Sequence, residues 1–60
     1  MNSQERIKLI ETIRNNVKKT MNSQAFKVFD FMTFDPLLSD YANESQQNEF
    51  IENAKKRKWI

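Results

Sequence analysis

The chain has no glycine among its 60 residues, and this absence restricts the folds that it can adopt. Tight two-residue hairpins usually place glycine at positive φ. Phosphate-binding loops need glycine so that the backbone can approach the phosphate. Helices joined by turns of asparagine, serine and aspartate have no such requirement. The sequence therefore predicts an all-α fold and argues against nucleotide-binding folds of the usual kind.

The length of the chain allows one helical domain spanning residues 1–60. A domain of this size buries only about 60% of its unfolded surface, so its core gives little net stability. Cysteine and histidine are absent, which removes disulfides and the usual zinc ligands as sources of stability. We therefore expect a small three- or four-helix bundle that needs no metal or cofactor and that relies on packing or on a partner.

The first helix is expected from residue 2 to about residue 20. Ile7, Ile10, Ile13 and Val17 recur at spacings of three and four, which is typical of one stripe of an amphipathic helix. Asn2 or Ser3 can cap its first turn.

Residues 25–34 are rich in aromatic side chains, which also suit a strand. Apolar and polar residues alternate poorly there, and the chain offers no second strand for pairing, so we interpret the segment as a helix. A helical projection divides its apolar side chains into an inward group, Phe26, Val28, Phe29 and Met32, and an outer pair, Phe31 and Phe34.

The Asp35-Pro36 pair predicts a boundary, because the residue before a proline is disfavoured in helical conformation. We expect Asp35 to cap a short third helix from Pro36 to about Ala42 and a last helix to run from Ser45 to the end of the chain. The predicted core comprises Ile7, Ile10, Ile13, Val17, Phe26, Phe29, Met32, Leu38, Phe50, Ile51 and Trp59.

The sequence argues against an enzyme. Histidine and cysteine, the usual base and nucleophile, are missing, and so short a helical chain offers little concave volume. Asp30, Asp35 and Asp40 are spaced by five and lack the alternation and central glycine of a calcium loop. We interpret them as caps and solvated charges, and we expect no catalytic or metal-binding residues.

The outer aromatic pair is the best candidate for function. Phe31 and Phe34 exceed what one helix face can bury, and exposed aromatic patches mark protein interfaces. The sequence therefore predicts a protein-interaction module centred on Phe31 and Phe34 and extended by Leu37 and Tyr41. A phage or mobile-element regulator that binds a host protein is one such module, and self-association into an oligomer is another outcome of the same surface.

A nucleic-acid-binding or transcription-regulating protein is the alternative. Its candidate residues are the basic turn Lys55, Lys56, Arg57 and Lys58, which can contact phosphates, and Trp59, which can stack on a base. Four consecutive cations spread around a helix rather than lining one stripe, and the helix dipole favours cations at this end, so we interpret them first as a solvated helix end. We also expect Trp59 to pack back onto the core.

The chain shows neither a signal peptide nor an apolar run long enough for a membrane span, and its net charge is +2. We therefore expect a cytoplasmic protein without a membrane partner.

Overall fold

The protein consists of helices, with no strand in residues 2–60, which are the residues described by the structure, a computed structural model. Its elements are α1 (Ser3–Thr20), α2 (Ser23–Phe29), a π-helical turn (Asp30–Phe34), α3 (Asp35–Leu38) and α4 (Glu44–Lys56). The predicted all-α class and the helical interpretation of residues 25–34 are confirmed.

Three asparagines begin the helices of this glycine-free chain. Asn2, Asn22 and Asn43 have extended backbones, and each side chain accepts a hydrogen bond from the first turn that follows. The donors are the backbone N–H groups of Glu5, Ala25 and Ser45, at 2.8, 2.8 and 2.7 Å. Such caps stabilise helices by about 1 kcal/mol each. The last helix therefore begins at Glu44, one residue before Ser45, where it was predicted to start.

The predicted boundary at Asp35-Pro36 is wrong. Residues 23–38 form one continuous helical run through α2, the π turn and α3, which we call the composite helix. Asp35 is helical, and its N–H bonds to the carbonyl of Asp30, five residues back. In an α-helix the Pro36 ring would clash with the carbonyl of Met32. The wider π turn just before Pro36 accommodates the ring, so the helix continues to Leu38 and ends well before Ala42.

The core lies between α1, the composite helix and α4. Its buried apolar side chains are Ile10, Ile13, Val17, Phe26, Phe34, Leu37, Ile51 and Ala54, and Leu9, Met21, Phe29, Leu38, Phe50 and Trp59 pack against them in part. Two residues of the predicted core, Ile7 and Met32, are exposed instead. The stripe of α1 continues from Ile10 to Arg6, four residues back, so Ile7 points away from the core.

Arg6 and Gln47 form a buried polar link between α1 and α4. Arg6 Nε donates to Gln47 Oε1 at 2.9 Å, and Gln47 Nε2 donates to the carbonyl of Leu37 at 2.8 Å. Arg6 also lies 3.4 Å from the exposed carboxylate of Glu44. Because the link reaches the end of the composite helix, it ties all three helical runs together.

The end of α4 is closed by a left-handed residue. Lys58 has φ 61°, the Trp59 N–H bonds to the Ala54 carbonyl at 2.9 Å, and the Lys58 N–H bonds to the Lys55 carbonyl at 3.2 Å. This is the Schellman arrangement, which usually places glycine at the left-handed position. This arrangement turns Trp59 back onto the core, and Asn16 Nδ2 donates a hydrogen bond to the Trp59 carbonyl at 2.6 Å. The predicted packing of Trp59 is confirmed.

Lys58→Gly should stabilise the protein by about 0.5–1 kcal/mol, because glycine adopts a left-handed conformation without the steric cost that a side chain brings. The melting temperature should rise by roughly 4–8 °C per kcal/mol for a domain of this size. Lys58→Ala removes the same charge but keeps a Cβ atom, so it should not give this gain. Equal melting temperatures for the two variants would contradict the strain at Lys58.

Candidate protein-docking surface

The π turn decides which side chains of the composite helix meet the core. Before it, Phe26 and Phe29 face inward; Phe34, at its last position, and Leu37, beyond it, do so as well. The step from Phe29 to Phe34 covers five residues, where an α-helix would use three or four. The extra residue changes the direction in which the side chains of the turn and of α3 point around the helix axis. As a result, Phe34 lies in the core and Met32 faces outward.

The opposite side of the composite helix is apolar and exposed. Val28, Phe31 and Met32 have 61%, 72% and 71% of their surface accessible. They lie at i, i+3 and i+4, the spacing of neighbours on one helical face. With their exposed helical neighbours they form two rows, which we call the outer face: Lys27, Phe31 and Asp35 in one row, and Val28, Met32 and Pro36 in the other.

A cationic groove borders the outer face on the side of α1. It measures about 330 Å³ and is lined in part by Arg14, Lys18, Lys27 and the edge of Phe26. The Arg14 guanidinium lies 5.6 Å and the Lys18 ammonium 6.0 Å from the centre of the Phe26 ring. These two cations and Lys27 make this border positive.

Asp30 also lines the cationic groove and contributes a carboxylate to it. Arg14 holds it through two parallel hydrogen bonds, Nε to Oδ1 at 2.6 Å and Nη2 to Oδ2 at 2.9 Å. These bonds, with a smaller contribution from the charge of Lys18, lower the pKa of the Asp30 carboxyl below its ordinary value. The same hydrogen bonding raises the pKa of Arg14. The pair fixes the composite helix against α1 with both groups charged.

A second groove, of about 320 Å³, borders the outer face on the side of α4. It runs past Met32 and Pro36, and its far wall is formed by Gln46, Glu49 and Asn53 of α4. The exposed apolar side chains of the outer face therefore lie between a positive border and a polar border.

The predicted protein-binding residues do not lie together on one surface. Phe31 is exposed, as expected, but Phe34 is fully buried and Leu37 is buried, so their expected exposure is wrong. The rotation caused by the π turn brings both into the core. Tyr41 is 96% exposed and lies in the connection between α3 and α4. The sequence projection placed Val28 and Met32 inward, and the structure places them beside Phe31 on the outer face.

The basic turn is exposed at Lys55, Lys56, Arg57 and Lys58. Trp59 is half-buried, with its ring centre 6.1 Å from that of Phe29 and 6.3 Å from that of Phe50. The Arg57 guanidinium lies 5.3 Å from the centre of the same ring. The indole thus already has aromatic and cationic neighbours within the chain.

No protein-family model, curated protein or solved structure matches this chain. Within residues 2–60, no helix is both long enough and apolar enough to cross a membrane.

Proposed function

We propose that this small all-α protein functions by binding another polypeptide through the outer face. The observation that carries the proposal is the contiguous exposure of Val28, Phe31 and Met32 on one helical surface. Contiguous exposed apolar surface is a liability for a soluble protein, and where it occurs it commonly marks an interaction site. Phenylalanine and methionine are also enriched at interfaces.

The form of the outer face supports this proposal. Apolar side chains at i, i+3 and i+4 are the contacts through which a helix docks onto a groove or onto another helix. The π turn that creates the surface is a feature frequently found at functional sites. The proposed function is not enzymatic, because the outer face offers apolar contact with a charge at each end of one row rather than a nucleophile beside a base.

Nucleic-acid binding through the basic turn has less support. Its stacking residue, Trp59, packs against Phe29 and Phe50. Lys55 lies 3.5 Å from the carboxylate of Glu52, which would repel a nearby phosphate. We therefore retain protein binding as the single proposed function.

Site-specific photo-cross-linking in cells that produce the chain tests the proposal. A benzophenone amino acid at position 31 should give a discrete protein adduct, because Phe31 lies at the centre of the outer face. The matched control carries the same group at Asn15, an exposed position on α1. The adduct from position 31 should disappear when Val28→Asp and Met32→Asp are added.

The proposed function would be overturned if the yield of adduct from position 31 were no higher than the yield from position 15. An adduct that survives both aspartate substitutions would also overturn it, because contact would then not depend on the apolar surface. Both aspartates lie at exposed positions, so circular dichroism should show an unchanged fold.

A further inference from the structure

The charged row of the outer face, Lys27, Phe31 and Asp35, is symmetric in its sequence spacing about Phe31. Lys27 lies four residues before Phe31, and Asp35 lies four residues after it, with all three side chains exposed. The apolar row is similarly centred, since Met32 lies between Val28 and Pro36, four residues from each. If the direction of the helix is reversed about Phe31, Lys27 and Asp35 exchange positions and Phe31 stays at the centre.

We propose that the occupant of the outer face is a second copy of this chain, packed antiparallel across a two-fold axis. This inference rests on the proposed function. A two-fold interface needs a surface complementary to itself. In an antiparallel pair, Lys27 of each copy meets Asp35 of the other, so the charge contact forms twice. Phe31 meets Phe31 and Met32 meets Met32 at the centre.

Charge complementarity selects the antiparallel arrangement. A parallel two-fold pair would place the charged row of one copy against the apolar row of the other and leave both charges without a partner. Opposite charges across an interface set its register more than its affinity. The outer face thus specifies both the direction and the register of the second helix.

The size of the outer face indicates a weak dimer. It comprises six residues, whereas a stable interface uses roughly 20–30 residues on each side. Buried central aromatic side chains still supply most of the binding energy of an interface. We therefore expect an exchanging dimer with a dissociation constant in roughly the micromolar range.

Sedimentation equilibrium on the full chain over a concentration series tests the pairing by charge reversal. Lys27→Glu gives a row with two carboxylates, and Asp35→Lys gives a row with two ammonium groups. Each variant alone should dimerise at least about tenfold more weakly than the wild type, because two attractive contacts become repulsive. An equimolar mixture of the two should dimerise again, and so should the double variant Lys27→Glu/Asp35→Lys.

Lys8→Glu is the matched control, because it makes the same charge change at an exposed position of α1 and should leave dimerisation unchanged. Phe31→Ser should weaken the dimer by about a hundredfold or more, since it removes the central anchor of both copies. A wild-type chain that remains monomeric at about 0.5 mM, which is well above the expected dissociation range, would overturn the inference. Charge-reversed variants that dimerise as well as the wild type would also overturn it.

The cross-linking experiment separates this inference from the proposed function. A dimer predicts an adduct at position 31 with twice the 7.2 kDa mass of the chain. An adduct of another mass, from a chain that sediments as a monomer, would overturn self-pairing and leave the proposed function standing. The absence of any adduct would overturn both.

Discussion

Phe34→Ala should unfold the protein or leave it barely folded. The Phe34 side chain is fully buried, with its ring centre 5.6 Å from that of Phe29, 5.4 Å from that of Phe50 and 6.5 Å from that of Phe26. Truncating such a residue costs about 3–5 kcal/mol. A chain of this length has a free energy of unfolding of roughly 3–5 kcal/mol, so the expected loss is as large as the whole of it. A thermal melt followed by circular dichroism measures the effect.

Phe31→Ala is the matched control, because it removes the same side chain three residues away on the same helix. Phe31 is 72% exposed, so its truncation should change the free energy of unfolding by no more than about 0.5 kcal/mol at a concentration where the chain is monomeric. The contrast depends on the π turn, since a regular α-helix would place both rings outside the inward face. Equal losses of stability in the two variants would contradict the rotation.

The parts of the fold that follow from local rules could be predicted from the sequence. The absence of glycine indicated helices, and the spacing of Ile10, Ile13 and Val17 identified the inward stripe of α1. Asn2 was one of two expected caps of α1 because the preference of asparagine for this position depends on only a few neighbouring residues. Trp59 could be assigned to the core because leaving so large an apolar side chain in water costs free energy.

The outer face could not be placed correctly because it depends on a change of hydrogen-bond register. Helical periodicity assumes one rotation per residue throughout, and the π turn breaks that assumption between Phe29 and Phe34. One signal was present in the sequence. Phe26, Phe29, Phe34 and Leu37 are spaced by three, five and three, and Pro36 follows the wide step, where a π turn relieves its clash.

Arg6 was missed for a different reason. It continues the α1 stripe at the spacing of Ile10, Ile13 and Val17, but a charged residue is rarely buried unless it is paired. Its partner, Gln47, lies 41 residues away and is one of several similar polar residues in α4. Only the packing of α1 against α4 identifies which amide meets the guanidinium.

Arg6→Met should destabilise the protein by about 1–3 kcal/mol even though methionine fills much of the same space. The reason is that Gln47 Oε1 would lose the donor it now has at 2.9 Å and remain buried. In residues 2–60, every buried side-chain nitrogen or oxygen has a hydrogen-bond partner, so the variant would introduce a defect that the native fold avoids. Urea denaturation measures the change.

Arg14→Met is the matched control on the same helix. Arg14 is also paired with a carboxylate, but 37% of its side chain is exposed, compared with 7% for Arg6. Partly exposed ion pairs contribute at most about 1 kcal/mol, so this variant should cost less than Arg6→Met. Equal costs would show that burial does not set the strength of the Arg6 contact.

A double-mutant cycle of Arg6→Met and Gln47→Leu separates their mutual contact from the other effects of each change. Gln47→Leu alone should also cost about 1–3 kcal/mol, because it removes an acceptor from Arg6 and the donor to the Leu37 carbonyl. The double variant should cost less than the sum of the two, by roughly 0.5–3 kcal/mol, since the guanidinium and the amide are removed together. Strict additivity would mean that the contact between Arg6 and Gln47 contributes no coupling between α1 and α4.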